Sequence, residues 1–192
     1  MTNRFVIASF PLAGIAVAAA SSAFAVEYLT IEAAQRLMFP SASSFTLERP
    51  KITAEQLRAI DASTHATSQA RQFLVFRAEA DQRGDHRAEQ PILGRLYVDE
   101  VIGKSELITY AVAITPDGAV KQVEILAYRE SHGYEVRDPR WRAQFAGKHA
   151  ASPVMLNDDI ANISGATLSS RHVTDGVRRI LALDTLIRGS GT

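Results

Sequence analysis

The sequence predicts an α+β fold: a small antiparallel sheet with packed helices, closed by a C-terminal helix. Three observations predict it. Residues 93–128 hold three consecutive strand-like segments, the last two joined by the turn signal Pro116-Asp117-Gly118. Val173, Val177, Ile180, Leu181, Leu183, Leu186 and Ile187 then recur at three- to four-residue steps, the period of one helix face. Two shorter helical patterns precede the strands. Strands grouped together, with helices at the ends, are the order of an α+β chain rather than of alternating β–α units.

Taken in order, the chain opens on a secretory signal. Arg4 gives a basic start, residues 5–20 are almost wholly apolar or small, and Ala23-Phe24-Ala25 fits a small-x-small cleavage site. Residues 1–25 are therefore expected to be removed before Val26, which places the mature protein in the periplasm. The rival is an uncleaved membrane anchor, because the apolar stretch approaches the roughly 20 residues that span a bilayer. Pro11 and Gly14 argue against a long spanning helix.

Residues 26–90 read as a helical and extended region. A short helix is expected over Tyr28 to Phe39, broken at Pro40 to Ser44. Thr53 and Gln56 form a capping-box pattern that opens a helix to about Asp61. Ser63 to Ser68 is loop-like, Gln72 to Ala80 reads as a strand, and the charged stretch Gln82 to Gln90 as an exposed turn. Residues 91–187 are the more regular unit. Strands are expected over Leu93–Val101, Glu106–Thr115 and Ala119–Tyr128, followed by a helix from Pro139 to Gly147 and the long terminal helix.

Composition narrows the chemistry. Twenty-one basic residues balance 21 acidic ones, so no net field favours nucleic acid or an anionic membrane. The absence of cysteine excludes disulfides, thiolate metal sites, iron–sulfur clusters and c-type haem attachment. The five histidines show no metal-ligand spacing, and no glycine-rich dinucleotide motif, P-loop or nucleophile elbow is present. No catalytic residue and no metal ligand is assigned. Redox chemistry, if present, falls to a bound organic cofactor.

The densest motif is Ser164-Gly165-Ala166-Thr167-Leu168, set between Ile163 and the terminal helical run. Ser164 reads as an N-cap, and Gly165 permits close approach of backbone or ligand. Thr167 falls in the first helical turn, where free N–H groups and the helix dipole favour a phosphate, with Arg171 and His172 one turn on. The bland alternative is a loop and cap of small residues. This stretch resembles the flavin-attachment motif of the FMN-binding domain family, which includes flavin-carrying subunits of the sodium-translocating NADH:quinone reductase and Rnf-type complexes. The resemblance extends through Asp117-Gly118, Glu130-Ser131-His132-Gly133, Trp141 and Phe145-Ala146-Gly147-Lys148, in family order, over about the second half of the chain. Where the family usually has Asp, three residues before the motif serine, this chain has Ala161.

The resemblance implies FMN joined by a phosphoester to Thr167, with Ser164, Gly165, Ala166 and Leu168 around it and Glu130, Gly133, Tyr134 and Lys148 as further cofactor-binding candidates. Tyr134 is open to flavin stacking or plain exposure. Trp141 reads as core with stacking as the alternative, and Lys148 as a solvated charge or a neutraliser of phosphate or reduced flavin. The implied function is a periplasmic electron-transfer flavoprotein, an electron carrier more than a substrate-converting enzyme. Its partners would be a flavin transferase, a membrane redox protein and a soluble electron donor or acceptor. The alternative is a sensory or interaction module that holds FMN without a covalent bond.

Overall fold

Thr30 accepts the N–H of Ala33 and so starts the first described helix, α1 (Ile31–Met38), just after a two-residue strand, β1 (Val26–Glu27). The computed structural model describes residues 26–66, 73–81, 90–130 and 132–190. The expected signal segment, most of the 82–90 turn, residues 67–68 of the preceding loop, Gln72 and Ser131 lie outside the described residues. Beyond α1 come β2 (Ser44–Glu48), α2 (Ala54–Thr64) and β3 (Leu74–Glu79). The regular half supplies β4 (Ile92–Ile102), β5 (Leu107–Ile114) and β6 (Val120–Tyr128), then α3 (Pro139–Arg142) and α4 (Thr167–Gly189). Among the described residues no helix is long and apolar enough to cross a membrane.

Among the described residues six strands form one antiparallel sheet, in the order β1-β6-β5-β4-β3-β2. The α+β class is as expected, but the N-terminal region adds strands as well as helices. Phe45 and Leu47 alternate with polar neighbours in β2, a five-residue signal easily lost beside Pro40 and Pro50. Two residues of β1 carry no periodicity at all. The hydrogen bonds of β3 to β4 join the segments before and after residue 90 in one sheet.

Other elements fall near their expected places. The capping box at α2 is complete: the Thr53 N–H donates to Gln56 Oε1 at 2.8 Å, and the Gln56 N–H to Thr53 Oγ1 at 3.1 Å. The expected helix over 139–147 is shorter, giving way after α3 to a 3-10 turn at Ala143–Phe145. Pro139 suits a helix start, and Gly147 at φ +76° ends the segment.

The sheet is covered on both faces because side chains alternate across it. Val75, Tyr97, Val112 and Val123 lie in register across four strands and meet Val173, Val177, Ile180 and Leu181 of α4. Ala78, Leu96, Ala111 and Ala113 face the opposite way, onto Ala34, Met38 and Phe39 of α1. Each large side chain so buried contributes about 1.5–3 kcal/mol. Lys121 of β6 fastens α1 by donating to the Met38 carbonyl at 2.5 Å while lying 4.5 Å above the Phe39 ring.

Two buried polar links orient α4. Tyr97 donates to Asp184 at 2.8 Å, and burial, with the Asp184 charge beside it, pushes the Tyr97 hydroxyl far up. Arg179 bridges Asp99 of β4 at 2.9 Å and Asp61 of α2 at 2.6 Å. These pairs fix the rotation of α4 and so the placement of its first turn.

Candidate functional site

Antiparallel pairing brings the β4–β5 turn and the segment after β6 to the same end of the sheet. The start of α4 reaches that end as well. Between them lies a cleft of about 600 Å³, within the usual range of small-molecule sites. The β4–β5 turn contributes Lys104 and Ser105, the post-β6 segment Glu130, His132 and Gly133, and the helix start Gly165 through Ser169.

Each pair of these segments is tied by one side chain. Glu130 joins the first two: its Oε1 accepts the N–H groups of Lys104, Ser105 at 2.5 Å and Glu106 at 2.8 Å. Desolvation pulls the Glu130 pKa upward, but the N–H groups of Glu106, Ser105 and Lys104 outweigh it and hold the carboxyl below its ordinary range. Tyr128 joins the second and third. Its hydroxyl donates to the His132 carbonyl at 2.6 Å and meets Ser169 Oγ at 3.0 Å, so Ser169 is the donor of that second bond. His172 joins the first and third, with Nδ1 at 2.5 Å from the Ile102 carbonyl and 2.9 Å from that of Gly103. Two carbonyls facing one ring nitrogen require the proton there.

The helix start differs from the expected cap. Ala166, not Ser164, is the N-cap, and no side chain caps the helix. The reason is a turn closed by the Ala166 N–H on the Ile163 carbonyl at 3.0 Å, with Gly165 at φ +85°, which sets Ser164 two residues too early. Thr167 does stand in the first turn. The first intrahelical bond from the cap runs from the Ser170 N–H to Ala166 at 2.9 Å, leaving the N–H groups of Thr167, Leu168 and Ser169 ahead of the ladder. Asn162 Nδ2 donates to Thr167 Oγ1 at 3.2 Å.

The structure brings Gly165, Ala166, Thr167, Leu168, Glu130 and Gly133 together around the cleft. Ser164 adjoins it in the turn. Tyr134 is 61% exposed in the 3-10 turn Tyr134–Arg137, and Lys148 pairs with Asp159 at 2.8 Å; neither lines the cleft. Trp141 is core, stacked edge-on against Phe145 at 5.2 Å, and its Nε1 donates to the Ala161 carbonyl at 2.7 Å. Lys104, Ser105, His132 and Ser169 are lining residues that the motif alone did not point to. Gly103-Lys104-Ser105 lay between two expected strands, and antiparallel order alone would have put that turn beside residue 130. Among the described residues no cluster of His, Asp or Glu is placed to hold a metal.

A cleft with helix-start N–H groups, a cationic lining residue and an exposed hydroxyl has the chemistry to take an anionic, phosphate-bearing ligand. Residues 103–182 match the FMN-binding domain, so that part of the chain is similar to this family. FMN is its cofactor. A component of the proton-translocating ferredoxin:NAD(+) oxidoreductase complex of Clostridium ljungdahlii is 31% identical over 94 residues, covering 45% of this chain and 51% of that protein. The chain thus spans about half the length of this curated relative. The cleft leaves room for such a group beside Thr167: a Cβ built on Gly165 would meet no atom within 4 Å.

Proposed function

We propose that the chain is an exported electron-transfer flavoprotein, periplasmic after loss of residues 1–25, with FMN esterified to Thr167. The observation that carries this reading is the Thr167 hydroxyl, set on the cleft lining at the exposed start of α4. Attachment breaks the Thr167 Oγ1–H bond and forms an Oγ1–P bond. The phosphorus releases the leaving group of an activated flavin phosphoanhydride brought by a flavin transferase, and that group takes the proton. The protein gains FMN less one water. Once bound, FMN supplies reversible one- and two-electron chemistry. The chain's own groups would hold it: the helix-start N–H groups and Lys104 would meet the anion, while the Glu130, Tyr128 and His172 ties keep the walls in place. The relative is part of a ferredoxin:NAD(+) oxidoreductase complex, which supports a membrane redox complex as one partner and a soluble donor or acceptor as the other.

Intact mass of exported protein co-expressed with a flavin transferase tests this. Wild type gains one FMN less water and Thr167→Ala gains nothing; an equal gain in both moves the attachment elsewhere. Ala161, in place of the family's usual Asp, favours a second reading, a module holding FMN without a covalent bond. Yellow colour that is lost on denaturation would establish it.

A further inference from the structure

We propose that Asn162 is a positioning residue that holds the Thr167 hydroxyl in the one rotamer able to accept the flavin phosphate, a step that rests on Thr167 as attachment point. Threonine in a helix divides between two χ1 wells, because its hydroxyl can turn back to a carbonyl of the preceding turn. Nothing precedes Thr167 within its helix, so the choice falls to a neighbour. Asn162 Nδ2 donates to Thr167 Oγ1 at 3.2 Å and selects the well that meets it. The donated bond occupies one lone pair and leaves the hydroxyl hydrogen and the second lone pair for the reacting phosphorus.

Asn162 is itself mounted from two sides. Its Oδ1 lies 3.0 Å from the hydroxyl of fully buried Ser170, whose single hydrogen it shares with the Ala166 carbonyl at 2.8 Å and the Thr167 carbonyl at 3.3 Å. The backbone just before Asn162 is pinned as well. The Ala161 N–H donates to Gln144 Oε1 at 2.8 Å, while its carbonyl accepts Trp141 Nε1 at 2.7 Å. A chain of contacts therefore runs from the buried helix face through Ser170 and Asn162 to the hydroxyl. Holding a reacting oxygen in one orientation speeds the transfer step without changing what the transferase grips.

The test compares wild type, Thr167→Ala, Asn162→Ala, Ser170→Ala and the Asn162→Ala/Ser170→Ala double variant. The kcat for covalent loading should fall about tenfold in Asn162→Ala and less in Ser170→Ala, because orientation rather than contact is lost. The KM for the carrier should stay within about twofold. The double variant should load no more slowly than Asn162→Ala, because Ser170 acts through Asn162. In the apo protein, three-bond couplings to the Thr167 methyl should pass from one rotamer to an average in Asn162→Ala. Unchanged loading kcat and unchanged couplings in either folded variant overturn the proposal. Should wild type and Thr167→Ala both carry no covalent flavin, the attachment reading falls and this one with it.

Discussion

Glu130 and Ser105 hold two loops of the cleft in register through two bonds. Oε1 accepts the Ser105 N–H at 2.5 Å, and Oε2 accepts the Ser105 hydroxyl at 3.2 Å. The acid lies on the cleft wall with both oxygens already engaged by the β4–β5 turn. It also ties down Lys104, the residue before Ser105 in that turn, by accepting its N–H. A carboxylate beside the helix start is understandable on this basis, since its charge is turned toward backbone N–H groups.

Replacing that acid should show in the pH dependence of stability. The folded carboxyl is held below its ordinary value of 4.5, so its contribution is complete above that value and is lost as pH falls through the lower folded value. Glu130→Gln should lower the denaturation midpoint at pH 7 and flatten its decline toward pH 3. Equal slopes for variant and wild type would show that the clamp does not act through the charge.

The two glycines of the site should respond differently. Gly133 has φ +89°, and a Cβ there would lie 2.6 Å from the Tyr128 hydroxyl and 3.1 Å from Ser169 Oγ. Gly133→Ala should cost about 1–3 kcal/mol and break the Tyr128–Ser169 tie. Gly165 has φ +85° with open space around it, so Gly165→Val should cost only the left-handed strain, about 1–2 kcal/mol. Its fold should survive while FMN loading falls, because the branched side chain fills the space beside Thr167. Thermal melts and flavin stoichiometry on both variants check this; full loading of a folded Gly165→Val protein would refute it.

The ion triad that orients α4 should be costlier to break than any surface pair. Asp99 is 1% exposed and faces Arg179 at 2.9 Å, with Asp61 at 2.6 Å on the other side of the guanidinium. Arg179→Met should destabilise by about 3–5 kcal/mol, since it leaves a buried carboxylate without its cation. Urea denaturation measures the loss. A change under about 1 kcal/mol would mean that the triad behaves like an exposed pair.

The β5–β6 hairpin, α2 with its capping box, and α4 were legible in the sequence because each rests on local signals: Asp117-Gly118, Thr53 with Gln56, and a sustained apolar period. The motif around Thr167 was legible for the same reason. The edge strands β1 and β2 were not, because two residues have no period and five beside prolines have little. Lys104 and Lys148 show the harder limit. Both are lysines near glycines, and only the three-dimensional pairing separates a cleft-lining cation from one held by Asp159. The 164–166 turn escaped similarly, since Ser164 is a good cap by type and only the φ of Gly165 moves the helix start to Thr167.

Lys104 lines the cleft on the β4–β5 turn, while Lys148 lies outside the lining with its ammonium 2.8 Å from Asp159. A hydrogen bond to a charged group contributes about 1.5–3 kcal/mol, so Lys104→Ala should weaken non-covalent FMN binding by roughly 10- to 150-fold. Measuring this in a Thr167→Ala background keeps covalent loading out of the reading. The Lys104 contribution should also shrink as salt rises, because the cation is exposed and screened. Lys148→Ala should leave FMN affinity unchanged and cost no more than about 1 kcal/mol of stability, the range of a partly exposed ion pair. Fluorescence titration of FMN at low and high salt separates the two. If Lys148→Ala weakens FMN and Lys104→Ala does not, the anion sits at the other end of the helix approach, and this cleft is not where the phosphate binds.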